Sequence, residues 1–389
     1  MDGETNAWRA VAAATAANLV GIGLARFAYA PLLPVLIAAG WFSPGDAAYL
    51  GAANLAGYLL GATFGRNAAA RIGLRPVVRG MMLAVTVSLA ACAWPFPFGW
   101  FFVWRLVSGI GGGTLMVLAP SAALAVVPHV RRGLAAGVIF TGVGLGIALS
   151  GTLLPLLLRG GLTQSWLGLA AVALVVTLLV WRAWPARLPA VPPGPVAAPS
   201  PRLRAMYVSY GLCAFGLVPH MVFLVDYAVR GLGQGIDAGA GDWVLFGIGA
   251  SCGPVIAGRL ADRLGFAAAL RLVMLVDAAF VAALTVSGSG LLLAISALVV
   301  GSTVPAVSAV ALGRVHELAG SDPRARLAGW SRATIAWAVG QAAAAYAFSF
   351  VYARTGQYAL LFGVAAAALA MAFLIEAAMS VRRVAPSPQ

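Results

Sequence analysis

A chain of 389 residues that is 62% hydrophobic and 9% charged, with a mean hydropathy of +0.94, has too few polar side chains to clothe a water-soluble body. Its net charge of +14 rests on 25 basic residues, every one an arginine, and these are scattered over short polar segments instead of lining one face, which excludes a nucleic-acid-binding role. A transmembrane barrel is excluded as well, because the apolar stretches are twice strand length and lack period-two alternation.

The expected fold class is therefore an all-α polytopic membrane protein. A bilayer core of about 30 Å takes about 20 apolar residues per helix. Twelve stretches meet that length: 10–36, 46–65, 77–96, 98–127, 133–157, 164–182, 205–229, 242–260, 267–287, 291–313, 329–352 and 358–380. Glycine and proline inside them are tolerated in membrane helices. Most arginines fall at the ends that share a side with the N-terminus, and only Arg159, Arg230 and Arg354 fall opposite. The positive-inside rule then places both termini in the cytoplasm of a bacterial-type inner membrane. The opening MDGETNAWRA is acidic and lacks a basic leader region, so the first span is expected to be retained.

Residues 186–204, ARLPAVPPGPVAAPSPRLR, read as a semi-rigid Pro-rich cytoplasmic linker. They divide the chain into a six-helix bundle over 1–185 and a second over 205–389. A displacement of 192 residues superposes Gly57, Gly61, Arg71, Gly73 and Gly109 on Gly249, Gly253, Arg263, Gly265 and Gly301, the mark of a parallel repeat.

After span two the chain reads RNAAARIGLRP, and after span eight GRLADRLGF. The second, with Gly258, Ala261, Asp262, Arg263 and Gly265, resembles the loop signature of the major facilitator superfamily, and Arg105, Gly109 and Gly113 resemble its RxxxGxxxG pattern. GIGLARFAYAPLLP, with NLAGYLLGA at 54–62 and FTGVGLGIALSG at 140–151, is similar more narrowly to the YbfB/YjiJ family of these transporters. The resemblance implies alternating access by two six-helix bundles, with spans one and seven facing each other across a pseudo-twofold. It implies gating motifs at Arg71 and Gly73 in the first half and at Gly258, Asp262, Arg263 and Gly265 in the second. It also brings Asp262 toward the start of span five, where Arg131, Arg132 and the positive helix end can receive its carboxylate; the equal alternative is that Asp262 caps its own short turn and keeps the segment in shape. Ala70 stands where the first loop should have its acid, so one latch is expected instead of two.

At 100° per residue, Asn18, Ile22, Ala25, Arg26, Tyr29 and Leu33 share a sector of span one, and Asn54, Tyr58, Gly61 and Gly65 share one of span two. Span seven aligns Ser209, Cys213, Gly216, His220, Phe223 and Tyr227, and span eleven aligns Thr334, Ala338, Gln341 and Ala345. Small-residue stripes such as Gly137, Thr141, Gly144, Ala148, Gly151 and Pro155 read first as packing seams. Asn54 and Tyr58 suit helix bridging and substrate contact equally. His220 reads as a satisfied interior group or a titrating one, Asp277 as a structural hydrogen-bonding group, and Glu376 as a group reaching interfacial water.

Arg26 and Arg105 are different, since a guanidinium keeps its proton in oil. No Asp or Glu stands between Asp46 and Asp226. Their compensation is therefore backbone carbonyl, a carboxylate of the other half, or an anion that comes and goes. The expected function is secondary transport of a small organic anion or zwitterion, proton-coupled through His220 or Asp226, with Arg26, Asn18, Tyr29, Asn54, Tyr58, Arg105 and Gln341 at the substrate. The alternatives are efflux of apolar or cationic compounds through aromatics and Asp226, or a non-transporting sensor or scaffold. No GxxxxGK[ST] or HExxH occurs, and His129, His220 and His316 are scattered, so no enzyme, cofactor or metal is expected. Cys92, Cys213 and Cys252, an odd set expected to be buried, give no disulfide framework. The expected partners are the substrate, protons and the bilayer, around a monomer.

Overall fold

The computed structural model describes residues 2–184 and 198–381; residues 186–197 of the expected linker lie outside them. Everything described is helix or short connection. The first unit, Met1–His129 with Val138–Val196, and the second, Val130–Gly137 with Ala197–Gln389, are each compact.

The first part of the chain runs α1 (Asp2–Asn18), a π-helical segment (Leu19–Phe27), α2 (Tyr29–Ala38), α3 (Pro44–Ile72), α4 (Leu74–Ala91), α5 (Phe98–Val126), α6 (Arg132–Leu158) and α7 (Leu162–Leu179). The second part runs α8 (Pro201–Val222), the single turn α9 (Leu224–Asp226), a π-helical turn (Tyr227–Gly231), α10 (Ile236–Leu264), α11 (Phe266–Val286), α12 (Gly290–Ala319), α13 (Pro323–Thr355) and α14 (Tyr358–Val381). Among the described residues eleven helices are long and apolar enough to cross a bilayer. The twelfth of the expected spans is α3, 29 residues long, whose middle is less apolar because it carries Asn54, Tyr58 and several glycines.

The repeat is visible in the elements themselves. Displaced by 192 residues, the starts of α3, α4 and α5 fall on those of α10, α11 and α12. Gly73 and Gly265 make the turns that follow α3 and α10, at φ +91° and +84°, a conformation that costs any residue with a Cβ. In α3 and α5, a Cβ on Gly57 would strike Leu106 O and one on Gly109 would strike Asn54 O. In α10 and α12, Gly249 meets Leu298 O and Gly301 meets Phe246 O in the same way. Such backbone approach holds the paired helices close enough for short polar side chains to bridge them.

Two expectations need correction here. The gating motifs are not loops: Arg66–Ile72 and Gly258–Leu264 continue α3 and α10 as helix, because falling hydropathy marks the membrane exit and not the helix end. Cys252 is exposed on α10, whereas Cys92 and Cys213 are buried.

Candidate functional site

In the first unit the site grows out of a break in the first span. Pro31 and Pro34 have no N–H to return to carbonyls four residues back, and the chain before them widens into the π-helical segment. Inside that segment, Ala25 O accepts from Arg105 Nη1 at 2.7 Å, and Leu50 O of α3 accepts from Arg105 Nε at 3.5 Å. The Arg105 guanidinium also lies 4.2 Å from the centre of the Tyr29 ring, and Tyr29 donates its hydroxyl to Ala47 O at 2.8 Å. Arg105 is thus buried at 2% exposure in a cage of carbonyls and one aromatic face, the first of the three compensations open to it.

Asn54 fastens the same corner. Its amide donates to Ser108 Oγ at 2.8 Å and to Arg105 O at 3.3 Å, and Ser108 donates back to Arg105 O at 2.9 Å. Arg26 is only half-buried, with its guanidinium 5.9 Å from the Tyr58 ring and 5.7 Å from that of Phe27. The two guanidinium groups lie within electrostatic range of each other. Arg26, Tyr29, Asn54, Tyr58 and Arg105 are therefore one cluster. Asn18 is not in it: its amide donates to Ile139 O of α6 at 3.2 Å. The helical-wheel stripe fails because π-helical turns advance fewer degrees per residue than the α-helical spacing assumes. Ser108 was missed, although it stands one turn from Arg105.

In the second unit the span-seven stripe packs into its own bundle. Ser209 donates to Glu376 Oε1 of α14 at 3.1 Å, Gly216 abuts Ala365 and Leu369, and His220 Nε2 meets Ser296 Oγ of α12 at 2.8 Å. Asp277 accepts from Thr303 Oγ1. Gln341 donates to Met221 Sδ at 3.4 Å. Asp226 lies beyond the break at Phe223, apart from His220, and accepts from Arg230 and, at 2.6 Å, from Tyr358 OH, itself 2.8 Å from Tyr352 OH. The hydrogen bond to Asp226 raises the Arg230 pKa, so that cation persists. Glu376 does not reach interfacial water; it is fully buried, 3.7 Å from Arg314, which also pairs with Glu317 at 3.1 Å.

The acid of the second gating motif has found a helix end. Asp262 Oδ1 accepts from Gly133 N and Oδ2 from Leu134 N, both at 2.7 Å, at the start of α6, so the carboxylate bonds that helix and not its own turn. Asp262→Asn keeps the shape and loses the charge and one acceptor. It is expected to lower apparent stability by about 1–2 kcal/mol, read as a lower thermal midpoint of the purified protein. An unchanged midpoint overturns it.

Each of the two repeated units packs its paired helices through glycine seams, and the first also holds the arginine–tyrosine–asparagine cluster; with the family match, this makes the chain a secondary transporter of the major facilitator type. The chain belongs to the family described as "Uncharacterised MFS-type transporter YbfB", whose model matches residues 18–377. No curated protein is detectably similar to it in sequence. Among solved structures it is similar to the human organic anion transporter MFSD10 (TETRAN), with a TM-score of 0.77 and 17% identity over 95% of this chain and 99% of that one. It is similar also to the Escherichia coli fucose:proton symporter FucP (TM-score 0.73, 14% identity, 94% and 97% covered). The proton:xylose symporter XylE gives a TM-score of 0.72 at 15% identity, with 96% and 95% covered. At these identities the likeness is one of fold.

Proposed function

We propose that this chain is a proton-coupled secondary transporter for a small organic anion or zwitterion, monomeric in a bacterial-type inner membrane with both termini cytoplasmic. The observation that supports this most is the pairing of half-buried Arg26 with buried Arg105 in a stretch of chain where no acid stands between Asp46 and Asp226. Two fixed cations at low dielectric make a strongly positive local field. Arg105 spends its hydrogen bonds on Ala25 and Leu50 carbonyls, which makes it the structural member. Arg26, which is half-buried where Arg105 is closed in, is the member proposed to meet an anionic group, beside Tyr58, and Asn54 and Tyr29 hold the walls.

Efflux of cations through Asp226 has less support, because that carboxylate already holds Arg230 and Tyr358. Asp226 and His220 remain the groups proposed for proton coupling, and Asp262 with the α6 end, flanked by Arg131 and Arg132, is proposed as the single gate latch. A thermal-shift screen of the purified protein is the first test. A carboxylate or amino acid present at 100 times its Kd is expected to raise apparent stability by about 2.7 kcal/mol. Stabilisation by cationic drugs alone would move the assignment to efflux, and a ligand that binds yet shows no counterflow in liposomes would indicate a sensor. With the ligand known, uptake driven by a pH gradient is expected to be lost in Asp226→Asn or in His220→Gln; retention of coupling in both removes the proton assignment.

A further inference from the structure

The end of α7 and the start of α4, both in the first unit, carry an arrangement that the transport reading does not use. Arg75 and Arg79 stand one turn apart on α4. Arg79 donates from Nη2 to the Trp181 carbonyl just beyond α7, and its guanidinium lies 4.7 Å from the centre of the Trp181 ring. The stacking and the carbonyl bond fix the direction of a side chain that would otherwise sweep through many rotamers. Arg182 follows immediately and is exposed. Beside them the last turn of α7 exposes Leu178 and Leu179, at 58% and 78%. The Nε atoms of Arg75 and Arg79 are shielded and make no hydrogen bond.

The repeat supplies an internal comparison. Displaced by 192 residues, Arg79 falls on Arg271 of α11, and Arg271 lies within electrostatic range of Glu376 on α14. The last helix of the second half thus gives its arginine a carboxylate. The last helix of the first half gives Arg79 a tryptophan, and no acid occurs between Asp46 and Asp226 to replace it. Guanidinium forks and an indole just past the apolar end of α7, with exposed leucines on its last turn, are together the chemistry that suits a phosphate carrying lipid tails.

We propose that Arg75, Arg79, Arg182 and Trp181 form a binding site for the phosphate headgroup of an anionic phospholipid, with Leu178 and Leu179 against its acyl chains. The lipid supplies to the first unit the counter-charge that Glu376 supplies to the second. Ordinary annular contact predicts no preference among headgroups, whereas this site predicts one for a net negative headgroup held by a bidentate fork.

Native mass spectrometry of the detergent-purified full chain tests this with phosphatidylglycerol and phosphatidylcholine as probes. Phosphatidylglycerol is expected to remain bound at activation energies that strip phosphatidylcholine. The double variant Arg75→Gln, Arg79→Gln is expected to bind phosphatidylglycerol at least about tenfold more weakly, the loss of one or more charge-assisted hydrogen bonds to one phosphate. Its phosphatidylcholine adducts should not change. Arg182→Gln, at an exposed position, is expected to weaken phosphatidylglycerol binding in the same direction and serves if the double variant fails to fold. Excess inorganic phosphate should leave the lipid in place; its displacing the lipid would make this a free-phosphate site and overturn the assignment. Equal binding of phosphatidylglycerol by the wild type and by whichever variants fold overturns it too.

Discussion

Arg26→Ala is expected to abolish uptake of the ligand found by thermal shift, at normal expression and with an unchanged thermal midpoint. The reasoning starts from the difference between the two arginines of the first unit. Arg105 is closed in by Ala25 O, Leu50 O and the Tyr29 ring, so truncating it leaves carbonyls unsatisfied and damages the fold. Arg26 is half-buried beside Tyr58 and Phe27, which places its loss on binding more than on stability. A charge-assisted hydrogen bond is worth about 1.5–3 kcal/mol, and a bidentate fork makes two. Removing both therefore lowers affinity by roughly two to four orders of magnitude. Lysine restores the charge without the planar fork, so Arg26→Lys should keep weak uptake with a raised KM. Full uptake by Arg26→Ala would sink the anion assignment, and a large fall in its thermal midpoint would show that the residue serves the fold.

The architecture was legible in the sequence because the bilayer imposes length and apolarity on every spanning helix. Glycine spacing carried the repeat, since Gly57, Gly109, Gly249 and Gly301 are needed wherever backbones touch. The cluster was legible in part. Arg26, Tyr29, Asn54, Tyr58 and Arg105 stand out as polar residues in apolar stretches, but α-helical spacing groups Asn18 with them, and the π-helical segment does not obey that spacing. Partners were hidden. Ser296 for His220, Thr303 for Asp277 and Tyr358 for Asp226 come from other helices, and a lone Ser, Thr or Tyr in an apolar run carries no periodic signal. The gating carboxylate was traced to the start of α6, yet its partners are the backbone amides of Gly133 and Leu134, which no side-chain pattern announces.

Glu376 shows how such a hidden partner changes an expected effect, and its substitution should bring the largest loss of stability. Near the end of the last helix it reads as a group reaching water, and a surface carboxylate removed there costs about 0–1 kcal/mol. The structure buries it completely on α14, against Ser209 and Arg314. Arg314 is 3% exposed, so Glu376→Ala leaves a buried cation that, among the described residues, has only Glu317, one third exposed, as an ion-pair partner. Breaking one side of a buried pair costs about 3–5 kcal/mol, because the remaining charge stays desolvated. Glu376→Gln should cost less, since a side-chain oxygen can still accept from Ser209. The cause is separable from simple cavity formation. Arg314→Met in the Glu376→Gln background removes the stranded charge, so the double variant should be more stable than the sum of the single losses predicts, with a coupling of about 1–3 kcal/mol. Thermal midpoints of the four purified proteins give that coupling directly. Strict additivity would mean that the two side chains are neighbours without being a pair.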